Sequence, residues 1–275
     1  MLTVSDRYLY AGRLLNYLDN PQGAIEMFSE GIAQAPDDAR LFRHRGHRYL
    51  TVRRYADAVS DLQHAANLIA GQADEHEFWQ KETQDDIVRI ILGKEAEIST
   101  LRLPVNEETV KATQGAYKST LHGSIFYHLA IGHYLLGDFE AALDAFQRAQ
   151  ATSVDDDMRV ANADWMYMTL RRLGRHAEAD ALIAQFDSDK ANVNPDEDFY
   201  LRRLRMYKGQ VAPEDLLADA SVSPIGLTTQ GYGVGNWYLT SGNAERAREI
   251  FKDVVAKGVK HAFAYMASEA DLARI

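Results

Sequence analysis

The sequence predicts an all-α fold built from antiparallel helix pairs, and three observations carry that expectation. Gly12 and Gly46 stand 34 residues apart, and the same step pairs Tyr8 with Phe42, Ala24 with Ala58, Phe28 with Leu62 and Gly31 with Ala65. Such a fixed period is the mark of a repeat architecture. Pro36 falls where the first unit has to stop, because proline removes a donor and restricts the residue before it. Finally, one turn signature returns down the chain as Gly137-Asp138-Phe139-Glu140-Ala141-Ala142, Gly174-Arg175-His176-Ala177-Glu178-Ala179 and Gly242-Asn243-Ala244-Glu245-Arg246-Ala247. Small residues at matched positions let two helix backbones approach closely, while the large ones fill the space between successive pairs.

Taken in order, residues 1–72 hold two units. Residues 73–122 form an insertion longer than one unit and outside its pattern. Within it Asp74–Gly93 reads as a helix, with Phe78, Ile87 and Ile91 on one side. Pro104-Val105-Asn106 is a break, after which Asn106 can cap a second helix reaching Tyr117. A buttress or lid against the array fits this segment, as does an interaction arm.

Residues 123–261 carry four further units. The third spans Gly123–Asp156, with Phe146 and Ala149 at large and small positions, and the fourth Val160–Val193. Asp155-Asp156-Asp157 precede a helix beginning near Val160, where negative charge suits the helix dipole. Pro195–Leu227 is degenerate, with Tyr207-Lys208-Gly209 at its turn and Pro213-Glu214 opening its second helix. The last unit, Thr228–His261, includes Phe251, and Ala262–Ile275 reads as the capping helix that covers the end of an array.

The pattern (an aromatic at position 4, small residues at 8, 20 and 27, a large one at 24) resembles the tetratricopeptide repeat (TPR) family. The resemblance implies a right-handed α-α superhelix of bacterial type whose first helices line a concave groove. In that family the groove takes up extended peptides through positions 2, 5, 9, 12 and 13. Carried over, these positions include Arg13 and Tyr17 in the first unit, Arg40, Arg43 and His47 in the second, and Tyr127 in the third. The later units supply Asp164 and Arg171, then Phe199, Arg203 and Tyr207 with Asp196, then Tyr232 and Asn236. Six Arg and three Asp occupy the full set, a balance of +3 on a protein of net charge −10, together with five tyrosines. Arg offers a planar fork for carboxylates and Tyr a rigid amphipathic surface. A non-catalytic adaptor for an acidic or carboxylate-bearing peptide is therefore expected. Tyr127, Phe199 and Tyr232 would bury partner side chains while the arginines fix acidic groups. The carboxylate clamp of some relatives is incomplete, since His128 stands where an Asn is expected.

Other chemistries are weaker. With no cysteine among 275 residues, disulfides, thiol nucleophiles and thiolate metal sites are excluded. The acidic balance argues against nucleic acid. The longest apolar stretches, such as Ile87–Leu92, are far short of the ~20 residues of a spanning helix, so no membrane partner is expected. His44 and His47 share a helix face, but flanking arginines would repel a cation, so no metal or cofactor is expected. His133 reads as a satisfied core histidine. Gly231, Gly233 and Gly235 lack the Lys-Ser/Thr of a phosphate loop; Gly235 is the small position, and Gly231 and Gly233 could widen the groove beside Tyr232. Met1–Leu15 has no apolar leader core, which points to the cytoplasm, or to the periplasm or exterior after a leader is removed. Two alternatives stand beside the adaptor: a small-ligand or enzymatic protein with residues 73–122 closing the groove, and a self-assembling homo-oligomeric scaffold.

Overall fold

The computed structural model describes residues 2–98, 100–114, 116, 118–187, 190–193, 198–219 and 223–275. Its helices pack as consecutive antiparallel pairs, in two compact units. One comprises Met1–Gly132 with Ala151–Val154, the other His133–Gln150 with Asp155–Ile275.

In the first unit α1 (Val4–Tyr17) pairs with α2 (Pro21–Gln34), and α3 (Ala39–Thr51) with α4 (Tyr55–Leu68). Thr3 opens α1 with a capping box to Asp6, Asn20 caps α2 ahead of its N-terminal proline, and Asp38 caps α3. The 34-residue glycines sit where the paired helices come nearest. A Cβ on Gly12 would lie 2.3 Å from the Phe28 ring, and one on Gly46 2.7 Å from Leu62. Leu9, Ala24, Phe28 and Leu41 form the core around that contact.

The insertion departs from the expected helix over Asp74–Gly93. His76–Phe78 form a strand, β1, and only Gln80–Ile91 form a helix, α5. β1 pairs antiparallel with β2 (Lys118–Thr120), His76 opposite Thr120, so an all-helical expectation misses a small ribbon at the insertion's root. The His76 N–H also donates to the Leu103 carbonyl at 2.8 Å. Backbone pairing with segments far along the chain has overridden local helix propensity here. Phe78 and Ile87 are both buried, but Phe78 belongs to the strand and Ile91 is 71% exposed, so the three do not share one helix side. Asn106 does cap a helix, α6 (Glu107–Ala112), which is shorter than anticipated; Tyr117 lies outside the described residues.

Helix α7 (Leu121–Leu136) belongs to both units and leads into α8 (Phe139–Ala151). The second unit continues with α9 (Asp156–Arg172), α10 (His176–Ala184), α11 (Phe199–Tyr207), α12 (Pro213–Ala218), α13 (Pro224–Thr240), α14 (Ala244–Lys257) and α15 (Phe263–Leu272). The acidic run does not precede α9 at a distance: Asp155 is its N-cap and Asp156 and Asp157 fill its first turn. Pro195 and Asp196, at the start of the degenerate unit, fall outside the described residues. The turn after each first helix needs one left-handed residue. Gly137 and Gly242 supply it with φ of 85° and 89°, whereas Asp19 and Arg53 adopt φ of 54° and 63° at a steric cost of roughly 1–2 kcal/mol each. Phe146, Trp165, Tyr232 and Phe251 stack in series through the core, with ring centroids 6.0, 5.7 and 5.5 Å apart.

Among the described residues no helix is long and apolar enough to cross a membrane.

Candidate functional site

None of the thirteen candidate side chains stands fully in solvent; Arg40, Arg43, Asp164, Arg203, Tyr232 and Asn236 are buried and the other seven half-buried. What matters is which of their charges are already satisfied.

In the first unit the charge of Arg40 is matched by two acids. It meets Asp6 at 2.8 Å and Asp38 at 2.5 Å. Burial disfavours its charge, but the bonds to Asp38 and Asp6 outweigh that and raise its pKa. One turn on, Arg43 is 4% exposed, with Nη2 2.8 Å from Glu77 in β1. The second Glu77 oxygen lies 2.9 Å from His44 Nε2. Burial works against the Glu77 carboxylate, yet Arg43, His44 and Arg13 hold its pKa well below the ordinary range.

Burial, reinforced by Arg43, drops the His44 pKa to about 3, so its ring is neutral. A proton on Nε2 then fits both neighbours: that N–H donates to Glu77, and Nδ1 accepts from Arg43 Nη1 at 3.2 Å. His47 packs against His128 with the rings tilted and centroids 4.2 Å apart, and burial keeps both rings neutral.

Two further guanidinia complete the cluster. Arg13 donates to the Phe78 carbonyl and Arg48 to the Asn16 amide oxygen, both neutral acceptors. Burial, with Arg43 and Arg13 adding to it against Tyr17, lowers the Arg48 pKa to about 9. Among the described residues, Glu77 pairs with Arg43, while Arg13 and Arg48 bond neutral oxygens. A partly desolvated positive charge without a counter-ion is costly, and an anion arriving there would relieve that cost. Tyr17 and Tyr127, both half-buried, are the candidate aromatics of this unit. Next to Arg13 a cavity of about 40 Å³ lies between α1, α3 and the insertion, lined by Tyr10, Arg40, Glu75, Thr83 and Arg102 among others.

The second unit spends its charges internally. Arg203 and Asp164 are both fully buried and bonded to each other, and Arg203 Nη1 donates to the Thr229 carbonyl at 2.8 Å. Desolvation raises the Asp164 pKa to about 6 despite Arg203. Tyr232 is not a surface for a partner: its ring is within the core stack and its hydroxyl reaches Asp271 at 3.0 Å. Asn236 donates to the Tyr134 hydroxyl at 2.9 Å. Nor do the glycines widen a groove. A Cβ on Gly233 would strike Arg203 at 2.2 Å and one on Gly231 would meet Val254 at 2.6 Å, so those spaces are filled. Half-buried Arg171 and Tyr207 flank buried Tyr167, with Tyr167 and Tyr207 stacked at 4.0 Å. Phe199, half-buried, begins α11. His133 is half-buried too, 3.3 Å from Asp138.

The repeat register selects neither Arg48 nor Glu77 as a lining residue. Arg48 belongs to the dense run Arg43-His44-Arg45-Gly46-His47-Arg48, so its composition was a usable signal. Glu77 had none, because it reaches α3 from a segment with no repeat register.

No protein-family model and no curated protein matches the chain. Among solved structures it is similar to YrrB, described as a TPR protein with an unusual peptide-binding site, at 14% identity and a TM-score of 0.45 over 95% of this chain and 90% of that one. It is also similar to nearly identical TPR-like repeats of a Podosopora anserina putative kinesin light chain, at 12% identity and a TM-score of 0.46 over 100% of both chains. These structural neighbours are TPR and TPR-like repeat proteins.

Proposed function

We propose that the chain is a non-catalytic adaptor that binds an acidic or carboxylate-bearing peptide segment on the α1–α3 face of its first unit. The observation that carries this reading is the charge imbalance there: among the described residues, Arg13, Arg43 and Arg48 stand against one acid, Glu77. Other inner arginines are matched, Arg40 by Asp6 and Asp38, Arg203 by Asp164. A peptide carboxylate at Arg13 and Arg48 gains charge-assisted hydrogen bonds, the strong kind, and half-buried Tyr17, near enough to Arg48 to act on its charge, offers apolar area there. The cavity beside Arg13, about 40 Å³, has room for a water or two.

The test is the affinity of a fluorescein-labelled Glu-rich peptide for the wild type and for Arg13→Gln and Arg48→Gln. Each substitution should weaken binding about 10-fold or more, the value of one charge-assisted bond. Each should also flatten the salt dependence. Unchanged affinity in both variants would remove the basis of the proposal.

A further inference from the structure

The insertion places an extended, acidic piece of the chain itself on the face assigned above to a partner. β1 and the residue before it read Glu75-His76-Glu77-Phe78. Side chains of a strand alternate, and these do so visibly. His76 and Phe78 keep their rings 6.0 Å apart, and His76 Nε2 lies 3.1 Å from the Thr109 hydroxyl of α6. Glu75 and Glu77 turn instead to α3, where Glu77 is 2.8 Å from Arg43 and Glu75 is 4.0 Å from Arg40. Arg40 and Arg43, three residues apart, lie on one helix face, so two acids two residues apart on a strand match them. Arg13 completes the hold by donating to the Phe78 backbone carbonyl. Side-chain charge pairing plus a grip on the backbone is how a groove holds an extended peptide.

From this geometry we infer that Glu75–Phe78 is an intramolecular ligand, and that the partner is an extended acidic segment with two or more carboxylates that takes its place. The inference rests on the adaptor reading and adds the partner's shape and the event that admits it. The built-in ligand is an incomplete one. The charge of Arg40 is already matched by Asp6 and Asp38, so Glu75 adds little at 4.0 Å, and Glu77 is the acid of the strand that makes the close ion pair. Arg13 and Arg48 receive no carboxylate from it. An incoming segment that puts one carboxylate on Arg43 and another between Arg13 and Arg48 replaces the Glu77–Arg43 pair and adds two pairings that the strand lacks. Exchange is local. β1 is three residues long and joined to α4 through an exposed stretch that contains Gly71, whose φ is 75°. Binding then selects the fraction of molecules in which the strand has left, and the observed affinity falls by that fraction.

The experiment uses the full chain and a C-terminally amidated Glu-Asp-Glu-Asp-Phe peptide as probe. Hydrogen–deuterium exchange of the wild type, with and without saturating probe, should show amides of residues 76–78 and 118–120 losing at least about 10-fold of their protection when the probe binds. The Glu77→Gln chain should bind the probe at least about 10-fold more tightly than the wild type, since a strand that is out in a tenth or less of the molecules imposes that penalty. Glu75→Gln, which removes a weaker contact, should show a smaller gain in the same direction. Binding that leaves residues 76–78 as protected as before overturns the intramolecular ligand while leaving the adaptor reading in place. No binding to the wild type or to either variant, each with a native circular dichroism spectrum, overturns both. The exchange measurement needs no variant, so it decides the matter even where Glu77→Gln does not fold.

Discussion

Replacing Asp271 with Ala should destabilise the second unit by about 3–5 kcal/mol, the cost of stranding buried partners of a removed charge. Asp271 is fully buried near the end of α15, the last helix. Its carboxylate takes both Arg172 nitrogens, at 2.8 and 2.9 Å, the Tyr232 hydroxyl at 3.0 Å and Arg274 at 3.0 Å. Tyr232 in turn bonds the Tyr134 hydroxyl at 2.7 Å, which Asn236 also reaches. One carboxylate therefore ties α15 to α7, α9 and α13. Asp271→Asn keeps the shape and some of the bonds, so it should lose less. Urea unfolding followed by near-ultraviolet circular dichroism of the aromatic stack reads both. A midpoint for Asp271→Ala equal to that of the wild type would mean that the network adds nothing beyond packing.

Mild acid should loosen the first unit. His44, His47 and His128 are buried and neutral there, each with a pKa pushed below the ordinary value by burial and by neighbouring arginines. In the unfolded chain the same imidazoles take up protons near pH 6.5. The unfolded state therefore binds more protons below that pH, and stability falls with it. Full stability holds above about pH 6.5 and drains away as the pH drops toward the His44 value of about 3. At ~1.4 kcal/mol per pH unit, His44 alone accounts for about 2 kcal/mol by pH 5. Asp164 in the second unit acts with the opposite sign. Its carboxyl is raised from 3.8 to about 6, so the folded form takes the proton first and gains stability as the pH falls through that interval. Urea titrations resolved residue by residue by NMR at pH 7 and pH 5 separate the two units. The first unit's midpoint should fall, and the second's should be supported by Asp164. Equal midpoints for the first unit at both pH values would refute the neutral histidine cluster.

The helix pairs were legible because their determinants are local. Gly12 and Gly46 recur with Phe28 and Leu62 at fixed offsets, and close helix approach leaves nothing else that fits. The turn glycines Gly137, Gly174 and Gly242 were equally plain, since few other residues accept a positive φ cheaply. β1 was not legible, for its pairing partner β2 lies some 40 residues on and the residues between carry no period. The site was legible by composition and not by accounting. The run around Arg43 announced positive charge, but which guanidinia remain unmatched depends on Glu77, Asp6, Asp38 and Asp164, acids brought in from other elements. Tyr232 shows the same limit: its register position suggested a lining residue, and the neighbouring Trp165 and Phe251 enclosed it.

The central claim is that unmatched guanidinia of the first unit receive a partner's carboxylates. Calorimetric titration of the full chain with a Glu-rich peptide and with its Gln counterpart, each at low and high salt, tests it most directly. The account predicts binding of the acidic peptide alone, weakening as salt rises. Equal affinity for both peptides, indifferent to salt, would contradict it.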